Sequence, residues 1–235
     1  MKKKNISRAF RAAFPLTLPV MAGYIILGIG FGIMLWDKGF GILWALAMSI
    51  FIYAGSMQYL AVGLLSAGAS IISAVIITLT VNARHLAYSF SMLEKYRGTG
   101  KAKPVLIFGL TDETFSVVST SPPPPDVDKK LFYLFITLLN QLYWVTGSVI
   151  GSAAGTLFKF DSTGVNFAMT ALFIVIMIEQ IKKKENRIPA LSGILISLAC
   201  LAVFGTDMFI IPSMILISVS LLIIKKISEN KKAGS

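Results

Sequence analysis

The chain has 235 residues, of which 55% are hydrophobic and 14% charged, and its mean hydropathy is +0.77. Average soluble domains are about 45–50% apolar and about 25% charged, so this composition argues against a soluble globular protein. Runs of about 20 apolar residues suit a helix that crosses a bilayer, and such runs recur along the chain. We therefore predict an all-α, polytopic membrane protein.

The net charge of +11 is concentrated in short segments beside the apolar runs, where 17 of the 22 Lys and Arg residues form four clusters. The clusters are Lys2, Lys3, Lys4, Arg8 and Arg11; Lys95, Arg97, Lys101 and Lys103; Lys182, Lys183, Lys184 and Arg187; and Lys225, Lys226, Lys231 and Lys232. Short basic loops are typical of the cytoplasmic side of a membrane, so we expect both termini to be cytoplasmic. The pattern argues against nucleic-acid binding, because no folded basic face exists to carry it.

The residues needed for common enzymatic sites are scarce. The chain has one cysteine, Cys200, and one histidine, His85, which are too few for a disulfide framework or a metal centre. No serine stands in a recognisable nucleophile turn, and no phosphate-binding loop is present. We therefore expect neither an enzyme nor a bound metal.

Eight apolar stretches follow one another along the chain. They span residues 15–36, 42–65, 70–93, 104–121, 131–158, 165–181, 188–205 and 208–224. The first continues past Gly30 without an A-x-A site, which predicts an uncleaved span and not a signal peptide. We expect about six to eight membrane segments in one transporter domain over residues 1–235. Residues 121–130, SPPPPDVDKK, are expected to form a solvent-side loop, because consecutive prolines favour an extended backbone.

The number of apolar stretches between the basic clusters indicates interrupted helices. Three stretches separate the first cluster from the second, and three more separate the second from the third. An odd number of crossings cannot return the chain to the cytoplasm, so one stretch in each triplet is expected to be broken or re-entrant. The alternative is that one basic loop lies on the opposite side.

Small and polar residues suggest where the interruptions lie. In the first triplet we expect a break at residues 54–58, AGSMQ. In the second we favour residues 140–155, NQLYWVTGSVIGSAAG, with the polar stretch 104–121 as the rival. The glycines and serines of 140–155 have an alternative explanation, which is close packing between helices. Interrupted segments at corresponding positions of two halves would indicate a two-half repeat with a transport site at the bilayer midplane.

The segment VNARHLAYSF, residues 81–90, places charge inside an apolar stretch. Arg84 and His85 precede the basic loop near Glu94 by nine to ten residues, and Asp112 and Glu113 follow Lys103 by the same interval. At about 1.5 Å per residue, both pairs lie about 13–15 Å deep, so we expect Arg84 to pair with one acid. The alternatives are that Arg84 extends to the interface, that the acids lie at a shallow helix start, and that His85 is a structural residue and not a proton carrier.

Four segments resemble the large subunit of the azaleucine-resistance exporters, the AzlC-like branched-chain amino acid permeases. They are AFRAAFPLTLPVMAGYIILGIGFGIML, SIFIYAGSMQYLAVGLLSAG, VNARHLAYSFSM and GLTDETFSV. The resemblance implies export of valine, leucine, isoleucine and related neutral amino acids across a bacterial cytoplasmic membrane. It also implies a separately encoded, AzlD-like small membrane subunit and no organic cofactor. The site residues that it implies are Gly55, Ser56, Gln58, Asn82, Arg84, His85, Thr111, Asp112 and Glu113.

The chemistry of a free amino acid fits these residues. Backbone N–H groups at a broken helix start near Gly55 and Ser56 suit the carboxylate, and Asp112 or Glu113 suits the ammonium group. Trp144 lies beside Asn140 in the sequence, and we add both to the candidate site. Without a nucleotide-binding motif, the proton gradient is the expected energy source. The alternatives are a passive pore, and a scaffold subunit without transport of its own.

Overall fold

The computed structural model describes residues 2–157, 174, 177–178, 181–182, 187–209, 212–213, 215–217, 219–221 and 223–224. Contacts within the chain group it into two units, 1–167 and 168–235. All regular structure in the described residues is helical, which confirms the all-α class. Most of the apolar stretch 165–181 lies outside the described residues, and the stretch 208–224 is described with gaps, so the predicted number of segments and the two-half repeat stay predictions.

Three of the described helices are long and apolar enough to span a membrane, over Asn5–Asp37, Lys129–Leu157 and Arg187–Gly205. The first belongs to α1, Lys2–Asp37, which contains Pro15 and Pro19. The second is α7, Lys129–Leu157, and the third lies in α8, Arg187–Met208, where Gly205 has a φ of 71°. A further helix, α4, spans Ile71–Met92, and its first turn is capped by Ser70, whose hydroxyl accepts from the Ser73 N–H at 3.2 Å.

The second apolar stretch is broken into two short helices, α2 at Ile42–Phe51 and α3 at Gly55–Ser66. Between them, Tyr53 adopts a φ of 41°, a left-handed conformation that costs a non-glycine residue about 1–2 kcal/mol. The predicted interruption within residues 54–58 is confirmed, because α3 begins at Gly55.

The fourth apolar stretch is also broken, and this corrects the preferred prediction for the second triplet. Helix α5 spans Lys103–Phe108 after a 3₁₀ turn at Gly100–Ala102, and α6 spans Asp112–Thr120. Residues 140–155, the favoured candidate, lie within the continuous helix α7, so that prediction is wrong. The rival prediction for 104–121 is confirmed by the gap at residues 109–111.

Helix α7 remains continuous because its glycines pack against α1. A Cβ atom added to Gly147 would lie 2.7 Å from the Ile25 carbonyl oxygen, and one on Gly28 would lie 2.9 Å from the Ser148 nitrogen. The two backbones are therefore in direct contact, as in the small-residue faces of membrane helix pairs. The alternative explanation of these glycines, close packing, is the correct one.

Two lysines connect the loop between α4 and α5 to the helices α6 and α7. Lys95 Nζ donates to the Ser119 carbonyl at 2.7 Å, near the end of α6, and Lys129 Nζ donates to the Arg97 carbonyl at 3.1 Å. Burial, with a smaller contribution from Lys129, lowers the pKa of Lys95. Asp128 caps α7 by accepting from the Leu131 N–H at 2.9 Å. Residues 121–128 are not helical and most are exposed, while their place on the solvent side of a membrane stays a prediction.

Candidate functional site

Polar side chains from both helix breaks and from three intact helices meet in one place, which we call the polar cluster. Its members are Tyr24 of α1, Tyr53 and Ser56 at the first break, Arg84 of α4, Thr111, Asp112, Glu113 and Thr114 at the second break, and Asn140 of α7. The breaks let the chain present polar groups and helix N-termini within an otherwise apolar bundle. Irregular backbone at membrane depth is tolerated where protein buries it or where it lines a cavity.

Arg84 joins the two breaks. Its Nη1 lies 2.7 Å from Asp112 Oδ2, and its Nη2 donates to Ser56 Oγ. The predicted pairing of Arg84 with an acid is confirmed, and Asp112 is the partner. The two side chains are 34% and 29% exposed, so the pair is half-buried, and neither charge is left uncompensated.

The two acids lie in the first turn of α6, which agrees with the alternative that placed them at a helix start. Thr111 is the N-cap residue, and its hydroxyl accepts from the Thr114 N–H at 3.3 Å. Carboxylates in the first turn are favoured by the helix dipole and by free N–H groups. A helix start and an ion pair with Arg84 therefore occur together.

Glu113 takes a different partner from its neighbour. The Tyr24 hydroxyl donates to Glu113 Oε2 at 2.6 Å and lies 2.6 Å from Thr111 Oγ1. Thr111 and Thr114 hydroxyls are 3.0 Å apart, and Asn140 Nδ2 donates to Thr114 Oγ1 at 3.0 Å. A continuous run of hydrogen bonds therefore extends from Glu113 to α7.

Trp144 is buried against the first helix break. Its Nε1 donates to Gln58 Oε1 at 2.9 Å, and its ring meets Tyr24 edge-on at 5.5 Å. A Cβ atom on Gly55 would lie 3.1 Å from the indole, so the absence of a side chain there makes room for the ring. Gln58 also donates to Ser49 Oγ at 3.4 Å and so links α2 to α3.

Asn82 and His85 lie outside the hydrogen bonds of the polar cluster. The His85 ring is 6.1 Å from that of Tyr88, and the buried Asn82 Oδ1 has no hydrogen-bond partner in the described part of the chain. The other nine predicted site residues lie in the polar cluster or at its edge: Gly55, Ser56, Gln58, Arg84, Thr111, Asp112, Glu113, Asn140 and Trp144. Among the described residues, no three His, Cys, Asp or Glu residues come together to hold a metal.

The sequence-based prediction missed three members of the polar cluster, Tyr24, Tyr53 and Thr114. Tyr24 carried a usable signal, since it lies 13 residues before Asp37 and so about 20 Å from that end of α1. An interfacial tyrosine would lie near a helix end. The Tyr53 hydroxyl lies beside Tyr24, Thr111 and Thr114 but makes no hydrogen bond of normal geometry, and no sequence pattern indicates this position.

Replacing Thr111 with valine is expected to lower stability by about 1–2 kcal/mol, because valine keeps the shape but removes the cap of α6. The thermal midpoint in detergent should fall by about 2–8 °C. Thr111→Ser is the matched control, since it keeps the hydroxyl that caps α6 and contacts Tyr24. Equal midpoints for the two variants would contradict the capping role.

Comparison with known proteins gives consistent matches over most of the chain. The family described as AzlC protein matches residues 19–158. The branched-chain amino acid transport protein AzlC of Bacillus subtilis strain 168 is 48% identical over 233 residues, which cover 99% of this chain and 92% of that protein. An uncharacterized membrane protein of Helicobacter pylori strain 26695 is 43% identical, over 93% and 96%. The inner membrane protein YgaZ of Escherichia coli K12 is 28% identical, over 85% and 82%.

No solved structure matches the chain. The range matched by the family, residues 19–158, includes both helix breaks and every residue of the polar cluster.

Proposed function

We propose that this chain, which belongs to the AzlC family, transports branched-chain amino acids across a bacterial membrane. The chain is a membrane protein, and its family is one of transport proteins and not of enzymes. The observation that carries the proposal is the Arg84–Asp112 pair, which joins the first turns of two broken helices. An amino acid carries a carboxylate and an ammonium group, so it can compete for both members of such a pair.

The first turn of α3 offers a place for the substrate carboxylate. The N-cap residue, Ala54, has no side chain that can cap the helix, so the N–H groups of Gly55 and Ser56 remain available as donors. The guanidinium of Arg84 lies beside them through its contact with Ser56. A helix N-terminus next to an arginine favours an anion through both its donors and its dipole.

The ammonium group is assigned to Asp112, which the substrate would draw away from Arg84 as its own carboxylate takes the guanidinium. For the aliphatic side chain we propose the cavity of about 430 Å³ that adjoins the first break. Its lining comes from α2, α3 and α4 and includes Met48, Ile52 and Met57. Burying a leucine or isoleucine side chain there would contribute about 1.5–3 kcal/mol.

The proposal also covers the direction of transport, the orientation of the chain, the coupling ion and a partner subunit. The chain exports its substrates from the cytoplasm across the inner membrane, with both termini cytoplasmic, and exchanges them for protons. A small AzlD-like membrane subunit assembles with it. The family resemblance supports the direction and the partner, while the basic clusters near both termini support the orientation.

Uptake of labelled leucine into inverted membrane vesicles tests this function. The vesicles come from bacteria that express the chain with an AzlD-like subunit, and the membrane potential is clamped at zero. With the interior about one pH unit more acidic, exchange of one proton for one leucine drives up to about tenfold accumulation. Vesicles from cells without the chain are the control.

The same vesicles separate the alternatives. Leucine flux that ignores the pH difference would indicate a passive pore. Equal uptake in vesicles with and without the chain would contradict a transport function and leave the scaffold hypothesis.

A further inference from the structure

We propose that Glu113 is the carboxyl group that binds and releases the coupling proton, while Asp112 serves the ion pair with Arg84 and the substrate. This inference rests on the proposed function, because it assigns a residue to the proton step of that transport. The two neighbouring acids then have different roles: Asp112 binds the substrate, and Glu113 carries the coupling proton.

The surroundings of the two acids differ in charge. Successive residues on a helix point about 100° apart, so the two carboxyl groups of α6 face different neighbours. Asp112 lies 2.7 Å from the Arg84 guanidinium, whereas no Lys, Arg or His in the described residues forms an ion pair with Glu113. A carboxylate without a cation in contact is costly inside a bilayer, so its neutral form becomes accessible.

The hydrogen bonds at Glu113 suit both of its protonation states. The run comprises the Tyr24, Thr111 and Thr114 hydroxyls and ends at the Asn140 amide. When Glu113 is ionised, Asn140 donates to Thr114 and Tyr24 donates to the carboxylate, and rotation of the two threonine hydroxyls directs every donor towards Glu113.

When Glu113 takes up a proton, the same run can reverse. Glu113 then donates to Tyr24, Tyr24 to Thr111, and Thr111 to Thr114. The last acceptor is Asn140 Oδ1, which is buried without a hydrogen-bond partner and reaches Thr114 after a 180° rotation of the amide. Hydroxyl groups are suited to this position because each can donate and accept, so every hydroxyl proton of the run has an acceptor in either state.

The other titratable and charged groups near Glu113 are Tyr24, Tyr53, Arg84, His85, Tyr88 and Asp112. Phenols release protons only near pH 10 in water, and arginine remains charged at all physiological pH values. Asp112 forms an ion pair with Arg84 and is assigned to the substrate. His85 makes no hydrogen bond in the described part of the chain and so has no link to the run of hydroxyls. From α7 the neighbour is the uncharged Asn140. Glu113 is therefore the group with both an accessible neutral form and a hydrogen-bonded path.

Two assays on the inverted vesicles described above test the assignment. The first measures exchange of internal for external leucine at equal pH, and the second measures leucine accumulation driven by a pH difference. We expect Glu113→Gln to keep at least about half of the exchange but to lose accumulation about tenfold, to the level seen without a gradient. Glutamine keeps the shape of the side chain and cannot bind the proton. Glu94→Gln, in the exposed loop after α4, is the matched control and should keep both activities.

Three results would overturn the proposal. The first is gradient-driven accumulation by Glu113→Gln at more than about half of the unsubstituted level. The second is a loss of accumulation in His85→Asn that Glu113→Gln does not share. The third is the absence of leucine exchange in the unsubstituted transporter. Of the three results, only this one would also overturn the proposed function.

If Glu113→Gln loses leucine exchange as well, the Tyr24→Phe variant tests the assignment of the coupling proton to Glu113. Phenylalanine removes the hydrogen bond to Glu113 and should shift the pH midpoint of gradient-driven transport by about half a unit or more. Tyr96→Phe is the control, since the buried Tyr96 hydroxyl has no hydrogen-bond partner in the described residues. An unchanged midpoint in Tyr24→Phe, with only a lower rate at every pH, would overturn the assignment.

Discussion

Replacing Arg84 with alanine is expected to reduce leucine transport about 30- to 150-fold. The change removes the cation that joins Asp112 of α6 to Ser56 of α3 and leaves the Asp112 carboxylate without its partner. In the proposed site the guanidinium also receives the substrate carboxylate, and losing a hydrogen bond to a charged group from that step should cost about 2–3 kcal/mol. Each 1.36 kcal/mol corresponds to about tenfold in rate. The initial rate of labelled leucine uptake, normalised to the amount of protein in the vesicles, measures the effect.

A double-mutant cycle shows whether Arg84 and Asp112 act as one unit. If Asp112→Ala is similarly impaired, the double variant should transport no worse than the worse single variant. Arg97→Ala and Asp126→Ala are matched controls, because both side chains are exposed in loops and neither contacts the polar cluster. Normal transport by both Arg84→Ala and Asp112→Ala at normal expression would refute the role of the pair.

The second large effect concerns the stability of the α1–α7 contact. Gly32→Ala and Gly151→Ala each place a methyl group inside the backbone of the facing helix, at Ser148 and Ile29 respectively. Overpacking costs about 1–3 kcal/mol where side chains can adjust, and backbone atoms adjust less than side chains. We expect a loss of about 2–3 kcal/mol and a fall in the thermal midpoint in detergent of about 5–10 °C.

Gly23→Ala is the control for these glycines. It lies on the same helix as Gly32, but a Cβ atom there would meet nothing within 4 Å. Alanine is favoured over glycine within a helix by about 1 kcal/mol, so this variant should be as stable as the unsubstituted chain or slightly more stable. Unchanged midpoints for Gly32→Ala and Gly151→Ala would contradict the close contact.

Local sequence features predicted the parts of the fold that depend on local chemistry. The break before Gly55 follows from small and polar residues inside an apolar stretch, and the pairing of Arg84 with one of the two acids follows from equal distances to one short loop. Both features depend only on the positions of residues along the chain. The choice between Asp112 and Glu113 could not be made in this way, because it depends on the direction in which each side chain leaves α6.

The prediction for residues 140–155 was wrong for a related reason. Glycine weakens an isolated helix, and the spacing of Gly147, Gly151 and Gly155 is equally typical of a break and of a packed face. Only the position of Gly28 and Gly32 opposite them distinguishes the two cases, and that requires knowing that α1 and α7 are neighbours. Tyr24 was missed on the same ground, since its partners lie 87 and 89 residues away along the chain.

The direct contact between α1 and α7 has a consequence for how the site is exposed to the two sides of the membrane. Helices that meet through their backbones cannot slide or separate without losing many contacts at once, so α1 and α7 should move as a single rigid body. Tyr24 and Asn140 lie on these two helices, so we expect the distance between them to stay fixed. In the proposed transport cycle, we expect the movement to arise at the two breaks, where Tyr53 and Gly109 interrupt the helices. On this proposal, the glycine face is the stationary frame against which Arg84 and the two acids move.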